Sequence, residues 1–542
     1  MSTSDADRSL SALRLASLAQ EPRRSESKGL LPWWAALLLA AAGGWVTDLA
    51  YPDLGWWPFV FPGIAMALVA LIGRGFWMGA LIGLVYESVF YLVHIQWASQ
   101  WVGPVPMIGL SLTGGFFFAI GAGLIALAYR WLPRAWPVRW PSAVLRLVVL
   151  PIAVAGLWTL REAVFSVWPY GGFAWGRIGH SQIDSPLSEL YSWVGISGMT
   201  FLVVWLVALV VEAFRARGVA IWLRAAVPAG LAALLAFWPA WQVAQTGSMR
   251  IALVQGNGPA GYFDERSAGD LLAAQVEATQ PLFAGVAAGD HVDLVLWPEG
   301  GSDWDPQADA YTAAAWDYVS TEMEAPLLGQ AITDRDGTYY NTAILWEGGE
   351  ALDTYDKRHP VVWGEYIPDR EFFELIVPEL TKMIGREYAF GTTDAVMDIP
   401  TRDGIVRAAI NICYDIVDDA LLRESVLDGG RIILATSNNA DFGRTDESAQ
   451  QLEFARIRAA ELGRSVVNVS TVGISAVIGV DGRVVESLPW YEAGTIVADV
   501  PLYDGITPAA ASGRLIEIVL ASLGGALLLT AGVVLLVRRR AG

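Results

Sequence analysis

The chain is poor in four things. Of its 542 residues one is a cysteine, three are lysines against 33 arginines, four are histidines, and only 17% carry a charge. Each shortage excludes something. A single cysteine, Cys413, rules out an internal disulfide and a thiolate-rich zinc site. The four histidines are scattered and no H-E-x-x-H is present, so the sequence suggests no metal cluster. There is also no G-x-S-x-G elbow and no phosphate-binding Gly-Lys loop. So little charge, with 54% hydrophobic residues and a mean hydropathy of +0.42, excludes an ordinary soluble enzyme. Part of the chain is built for lipid.

The apolar residues are concentrated in runs at 31–48, 56–73, 76–95, 107–129, 144–164, 192–214, 221–241 and 515–537. Each approaches the ~20 residues that a bilayer core requires. Residues 1–30 are polar and Ser-rich, with Arg8, Arg14, Arg23, Arg24 and Lys28, and are expected to form a disordered basic tail. With eight spans, that tail, Arg74, the cluster Arg130, Arg134, Arg139 and Arg146, the cluster Arg215, Arg217 and Arg224, and the terminal Arg538, Arg539 and Arg540 all fall on one side. The positive-inside rule makes that side cytoplasmic. Trp33, Trp34, Trp56, Trp57, Trp97 and Trp101 fall near span ends, as interfacial or interhelical packing residues. Inside the third span Glu87 and His94 lie seven apart on one face, and Arg161 and Glu162 mark the outer end of the fifth. These are read either as packing-level polar pairs or as lipid-headgroup contacts. His180, in the following outer loop, is read as similar or merely solvated.

Residues 247–514 behave differently. They carry 18 Lys+Arg against 43 Asp+Glu, a net charge of −25 in a chain whose total is −19. The expected organisation is therefore a seven-span membrane domain at 31–246, an acidic water-soluble domain at 247–512, and a final span with a basic end at 513–542. So acidic a domain is a poor partner for nucleic acid. Its periods alternate between strand and helix: RIALVQG, a helix over 265–286, VDLVLWPE, a helix over 311–322, the adjacent strands PLLGQAI and TAILWE, a strand at 431–436, a long helix over 446–462, then VVNVS and ISAVIGV. This order predicts α/β layers, a sheet covered on one face and free to pair its other face with a second sheet.

Cys413 ends an apolar β-run at 405–412 and is followed by Asp418-Asp419 and a short helix, a strand, an elbow and a helix. A thiol at such an elbow faces a cleft, with the first amides of the turn directed at whatever it attacks. The alternative is a buried structural cysteine. Glu299 directly follows the apolar strand VDLVLW in a Pro-Glu-Gly turn, where a helix cap or solvated loop residue is the alternative. Lys357 stands where the chain elsewhere chooses arginine, which favours a compact, titratable ammonium. Glu365 follows eight residues later. Together these groups meet the needs of thiol acyl-transfer: a carboxylate to take the thiol proton and return one to the leaving group, and an ammonium to favour the thiolate and an oxyanion.

WPE at 297–299, DK at 356–357 with GEYIP at 364–368, and NICYD at 411–415 resemble the Glu-Lys-Cys triad of the nitrilase superfamily. GFAWGRIGHSQIDSPLSELYSWVG, IALVQGN, DKRHPVVWGEYIP and SNNADFG are similar to its membrane-embedded branch, the apolipoprotein N-acyltransferase family. The likeness covers nearly the whole chain beyond the tail. It implies an eight-span helical bundle carrying a nitrilase-like αββα sandwich in the bacterial cytoplasmic membrane, its catalytic domain outside. It further implies Glu299 as general base, Lys357 as oxyanion stabiliser, Cys413 as nucleophile, and Glu365, Tyr414 and Asp415 as supporting residues. No cofactor and no metal are implied, and a monomer is expected. The implied reaction moves an acyl chain from a membrane phospholipid, through a Cys413 thioester, to the α-amine of a diacylglyceryl-cysteine on an apolipoprotein. Two positions depart from the pattern. Asp415 stands where the family commonly has glutamate, and Phe263, after a one-residue gap, where a tryptophan is expected. The apolar segment 372–390, with Phe372, Phe373, Leu375, Ile376 and Val377, is read as a lid dipping into lipid or as core packing. A membrane-tethered amidase using water as acceptor, and a non-catalytic binding protein on the same fold, are the alternatives.

Overall fold

The computed structural model describes residues 29–137, 140–216 and 220–541. Residues 1–28 of the expected basic tail, with Arg139 and Arg217, lie outside them. Helices Trp33–Asp48, Val60–Leu71, Phe76–His94, Pro104–Ala135, Leu150–Phe165, Tyr191–Arg215, Ile221–Ala236 and Pro508–Ala541 pack into an apolar bundle. Among the described residues, five segments are long and apolar enough to cross a membrane: Phe76–His94, Pro104–Ala135, Ser142–Phe165, Ser188–Arg215 and Pro508–Ala541. The helices in the first, second and seventh expected spans are shorter, at 16, 12 and 16 residues. Their limits are local: Pro32 precedes the first, Gly73 at φ 78° turns the chain after the second, and the Trp238-Pro239 pair disfavours helix after the seventh.

Small residues bring these helices to backbone contact. A Cβ on Gly156 would stand 2.6 Å from the backbone nitrogen of Gly524 and 2.7 Å from the Leu520 carbonyl oxygen. The C-terminal helix thus seats on Leu150–Phe165 through van der Waals packing that only glycine permits. Buried charges in the bundle are paired. Arg161 Nη1 lies 2.8 Å from Glu87 Oε1, with its guanidinium 4.5 Å over the Phe118 ring. His94 Nδ1 lies 3.0 Å from Asp48 Oδ1. Glu87 and His94, read as sharing one face, therefore have separate partners, and both serve helix packing. His180 is buried with its ring edge against Phe454, not solvated.

Between the seventh helix and the last lie two six-stranded sheets. The strands are β1 (Ala244–Gln255), β2 (Leu294–Leu296), β3 (Leu327–Arg335), β4 (Thr338–Glu347), β5 (Glu350–Asp356), β6 (Val396–Thr401), β7 (Gly404–Ile412), β8 (Ile433–Ser437), β9 (Val466–Ser470), β10 (Ala476–Ile478), β11 (Val484–Ser487) and β12 (Gly494–Asp504). Their orders are β12-β1-β2-β3-β4-β5 and β11-β10-β9-β8-β7-β6. The central pairs β1-β2-β3 and β7-β8-β9 are parallel, the outer pairs antiparallel.

Side-chain alternation explains the layering. In β1, Ile251 and Leu253 enter the core between the sheets, while Ala252 and Val254 face helices Asp270–Ala287 and Ala310–Met323. In β7, Ala408, Ile410 and Ile412 face the first sheet, while Ala409 faces helices Asp419–Leu427 and Glu447–Leu462. That second helix layer is continuous with the membrane bundle. Phe454, Ala455 and Leu422 share one apolar core with Tyr91, Trp158 and Trp175. The sandwich therefore rests on the bundle through its second sheet.

The Gly156–Gly524 contact sets an expectation. Gly156→Leu should lower stability by about 1–3 kcal/mol through overpacking, read as a lower midpoint of thermal unfolding in detergent. Gly525→Leu, next to Gly524 on helix Pro508–Ala541 but with open space around its Cβ, should leave the midpoint in place.

Candidate active site

Three strand ends converge. β7 delivers Cys413, β2 delivers Glu299 through Trp297-Pro298, and β5 delivers Lys357 directly after Asp356. The thiol comes from one sheet, the carboxylate and ammonium from the other, so the site exists only where the sheets meet. Cys413 has φ 50°, a left-handed conformation that a non-glycine residue adopts at a cost of about 1–2 kcal/mol. It opens a 3₁₀ turn, Cys413–Val417, that turns the chain out of the sheet. Asp418 then caps helix Asp419–Leu427, accepting from the backbone of Ala420 at 2.9 Å and Leu421 at 2.7 Å. On the opposite side, Gly300 at φ 68° lets the chain reverse immediately after Glu299.

Lys357 is the centre of the hydrogen-bonded set. Its Nζ lies 2.8 Å from Glu365 Oε2 and 3.7 Å from Glu299 Oε1. Its side chain is 1% exposed, whereas those of both glutamates are 13% exposed. The cation is sealed and the carboxylates open towards the cleft. Asn341 Nδ2 donates to Glu299 Oε1 at 2.8 Å and to Glu365 Oε1 at 3.1 Å, tying the two carboxylates together. The backbone amide of Asn438 donates to Glu299 Oε2 at 2.9 Å, and that of Val361 to Glu365 Oε2 at 2.6 Å. The Thr471 hydroxyl donates to the Glu299 carbonyl. The Glu299 carboxylate is near enough to Cys413 for its charge to act on the thiol.

Burial alone would pull the Lys357 ammonium down, but Glu365 and Glu299 override it and hold its pKa above the usual lysine range. Glu299 is raised from the usual carboxylate range, by burial first and by Glu365, against the pull of Lys357. Burial pushes the Cys413 thiol well up, with Glu299 adding to the push and Lys357 opposing it. The resting site is therefore a neutral thiol beside a carboxylate of increased basicity and a permanently charged ammonium.

The expected supporting residues take different places. Glu365 is the nearest carboxylate to Lys357. Tyr414 lies parallel to the indole of Trp175, ring centroids 6.4 Å apart, and so sets the neighbour of Cys413 against the membrane part. Asp415 is fully buried and accepts from the Tyr355 hydroxyl at 3.0 Å and the His359 amide at 3.1 Å. It fixes the loop that follows Lys357. Phe263 is exposed at the rim, where its neighbour Tyr262 reaches the Met383 carbonyl at 3.0 Å. In segment 372–390, Phe372, Leu375 and Ile376 are exposed, Leu375 by 85%, so core packing does not account for them.

The polar residues of helix Glu447–Leu462 were not legible as part of the site. The helix buries seven polar or charged side chains, more than packing alone requires. Gln451 Nε2 stands 3.7 Å from Cys413 Sγ. Gln450 is buried at the junction with the bundle: its Oε1 accepts from Trp97 Nε1 at 3.0 Å and Trp175 Nε1 at 2.7 Å, and its Nε2 donates to the His94 carbonyl at 3.0 Å. A cavity of about 490 Å³ adjoins this junction, lined by Trp97, Met107, Gln96, Arg444 and Asp446 among others. The one available signal for Asn341 was an asparagine in the otherwise apolar run NTAILW. Among the described residues, no group of three or more His, Cys, Asp and Glu side chains is placed to hold a metal ion.

Residues 43–209 match the family model for the apolipoprotein N-acyltransferase N-terminal domain, and residues 250–506 match that for carbon-nitrogen hydrolases. The second match identifies the two-sheet sandwich as a nitrilase-like fold. The chain is 31% identical over 541 residues to the apolipoprotein N-acyltransferase of Mycolicibacterium smegmatis, covering 93% of this chain and 86% of that protein. It is 27% identical to that of Pseudomonas aeruginosa, covering 88% and 92%. Similar solved structures include a Saccharomyces cerevisiae member of the nitrilase superfamily, 16% identical with a TM-score of 0.33, covering 50% of this chain and 94% of that one. An amidase from Nesterenkonia sp. is 20% identical with a TM-score of 0.34, covering 48% and 94%.

Asn341 is the test of this arrangement. Asn341→Leu deprives two carboxylates of their shared donor and should lower stability by about 1–3 kcal/mol, measured by thermal unfolding in detergent.

Proposed function

As the chain belongs to the apolipoprotein N-acyltransferase family, we propose that Cys413, Glu299 and Lys357 carry its acyl transfer to lipoproteins in two half-reactions. In the first, Cys413 Sγ attacks an ester carbonyl of a membrane phospholipid while Glu299 takes the thiol proton. Lys357 favours the developing thiolate and the oxyanion of the tetrahedral intermediate. The carbonyl C–O bond then breaks, Glu299 returns the proton to the leaving oxygen, and a lysophospholipid departs from a Cys413 thioester. In the second, the free α-amine of a diacylglyceryl-cysteine attacks the thioester, Glu299 takes its proton, and sulfur leaves and is reprotonated as the amide forms. Glu365 holds Lys357 in place, and Asp415 and Tyr414 position the loop and the elbow around the thiol.

The observation that carries this reading is a lone cysteine within the electrostatic reach of a carboxylate and a sealed ammonium, on the layer of the sandwich that packs against membrane helices. The same placement supports phospholipid as donor. The reading includes eight spans, with a membrane domain at 31–246 and a catalytic domain at 247–512. The one-sided distribution of loop arginines supports an extracytoplasmic catalytic domain in the cytoplasmic membrane, and the exposed segment 372–390 is read as the edge that meets lipid.

The order of events is testable without the acceptor. Wild-type protein given phospholipid should gain a hydroxylamine-sensitive acyl mass on Cys413, whereas Cys413→Ala and Glu299→Gln should not. A peptide beginning with diacylglyceryl-cysteine should clear the adduct, and the same peptide with a blocked α-amine should leave it. Loss of the adduct at the same rate in water alone would favour hydrolysis instead. Lys357→Arg should be nearly as damaging as Lys357→Ala, about 10²-fold or more in the acylation rate, because a planar guanidinium cannot occupy the sealed ammonium position.

The acid limb follows from Glu299. Proton abstraction needs its ionised form, and its pKa is raised, so activity is present above that pKa and lost as pH falls through it. In kcat/KM against pH, the acid midpoint should therefore lie above the usual carboxylate range.

A further inference from the structure

We propose that the side-chain amide of Gln451 is a further catalytic group of this reaction. It donates to the Cys413 sulfur as negative charge develops there, with Asn439 and Glu447 as the positioning residues that fix its direction. The inference rests on Cys413 as the nucleophile. Gln451 Nε2 lies 3.7 Å from Cys413 Sγ. The two ends of a glutamine amide are alike in shape, so only its partners decide which end meets the sulfur.

Those partners form a chain with one polarity. Gln451 Oε1 accepts from Asn439 Nδ2 at 2.5 Å, and the same nitrogen donates to Glu447 Oε2 at 2.7 Å. Asn439 Oδ1 in turn accepts from the hydroxyls of Ser437 at 3.2 Å and Ser470 at 2.5 Å. The Ser470 hydroxyl accepts from the Gly473 amide at 2.9 Å and so passes its own proton to Asn439. With the Ser437 and Ser470 hydroxyls on its oxygen and a Glu447 carboxyl oxygen on its nitrogen, Asn439 has one orientation. That orientation claims the Gln451 oxygen and turns the Gln451 NH₂ towards the sulfur. Glu447, Asn439 and Gln451 are 2%, 3% and 4% exposed, so water competes little for any of these positions.

The site has a use for such a donor. The thiol is half-buried, and three carboxyl groups act against its ionisation: Glu299 after β2, Glu365 on the loop after β5, and Glu447 on helix Glu447–Leu462. Lys357 is the cation set against them, and it is already tied to two carboxylates. A neutral N–H adds stabilisation to the thiolate without adding charge. Hydrogen bonds to an ionised acceptor are roughly twice as strong as neutral ones, so the donor acts on the attacking and leaving thiolate far more than on the thioester. Gln451 makes and breaks no covalent bond, and the thiol proton still passes to Glu299. Glu447, pushed up to about 8 by burial against the hydrogen bond from Asn439, anchors the far end of the chain.

The test is the titration of the sulfur itself. Iodoacetamide alkylates only the thiolate, forming an S–C bond with loss of iodide, and Cys413 is the one thiol in the chain. In the full-length protein in detergent, Gln451→Leu should move the midpoint of the alkylation rate against pH upward by about one unit. At a fixed pH below the midpoint, alkylation should be about tenfold slower. Gln451→Met reads the same shift should the leucine variant not fold. Gln451→Glu, which turns an acceptor to the sulfur, should move the midpoint further. Asn439→Leu should shift it in the same direction and add little in a Gln451→Leu background. An unmoved midpoint in the Gln451 variants, or full additivity with Asn439→Leu, overturns the proposal. Acylation of the wild-type protein tests the role of Cys413 separately, since the alkylation midpoint reads the sulfur's surroundings whatever the acyl donor.

Discussion

A charge without water is the constraint on which this structure depends. Lys357 is almost completely enclosed, and an enclosed ammonium left unpaired would destabilise the fold by several kcal/mol. Its neighbours follow from that fact. Glu365 supplies the closest counter-charge and is itself held by a backbone amide, Glu299 supplies a second, and Asn341 holds both carboxylates in register. The result is a cation that cannot leave and a carboxylate that is more basic than an ordinary glutamate. Both properties are set before any substrate arrives, which is what electrostatic preorganisation requires.

The second requirement is a fixed seat at the membrane. The first residue of the helix after the Cys413 elbow, Asp419, takes Arg177 Nη1 at 2.6 Å on one oxygen and Arg458 Nη2 at 2.7 Å on the other. Burial would raise that carboxyl, but the two guanidiniums override it and hold it below its usual range. Arg177 belongs to the loop between membrane helices, so the elbow that presents the thiol is clamped directly to the bundle. Tyr414 against Trp175 repeats the contact one residue from the sulfur. Packing and charge thus coincide at the same short stretch.

Much of this was legible in the sequence because periodicity and scarcity both leave marks. Strand-like runs at β1 and β7, long apolar runs, and the loop arginines pointed to a layered domain inserted before a last membrane helix. The only cysteine, a rare lysine and a carboxylate after a wholly apolar strand marked the residues that the fold brings together at the sheet junction. What escaped was polar and buried. Asn341 in β4 and Gln450, Gln451 and Glu447 on one long helix did not stand out, because a pattern of polarity does not tell which partners will cover it. Spans were also drawn too long where a glycine or an X-Pro pair ends a helix within an apolar run. Composition continues past such a residue, whereas backbone geometry does not.

Gln450 has a consequence for how such proteins diversify. Its single amide serves two indoles and a carbonyl contributed by the membrane helices and their loops, while its backbone belongs to the two-sheet sandwich. A sandwich grafted onto a foreign bundle would arrive with that amide unsatisfied and the aromatic wall beside Tyr414 missing. The two halves are therefore not interchangeable parts: substitutions on one side of the seam constrain those tolerated on the other, and the architecture is inherited as a unit.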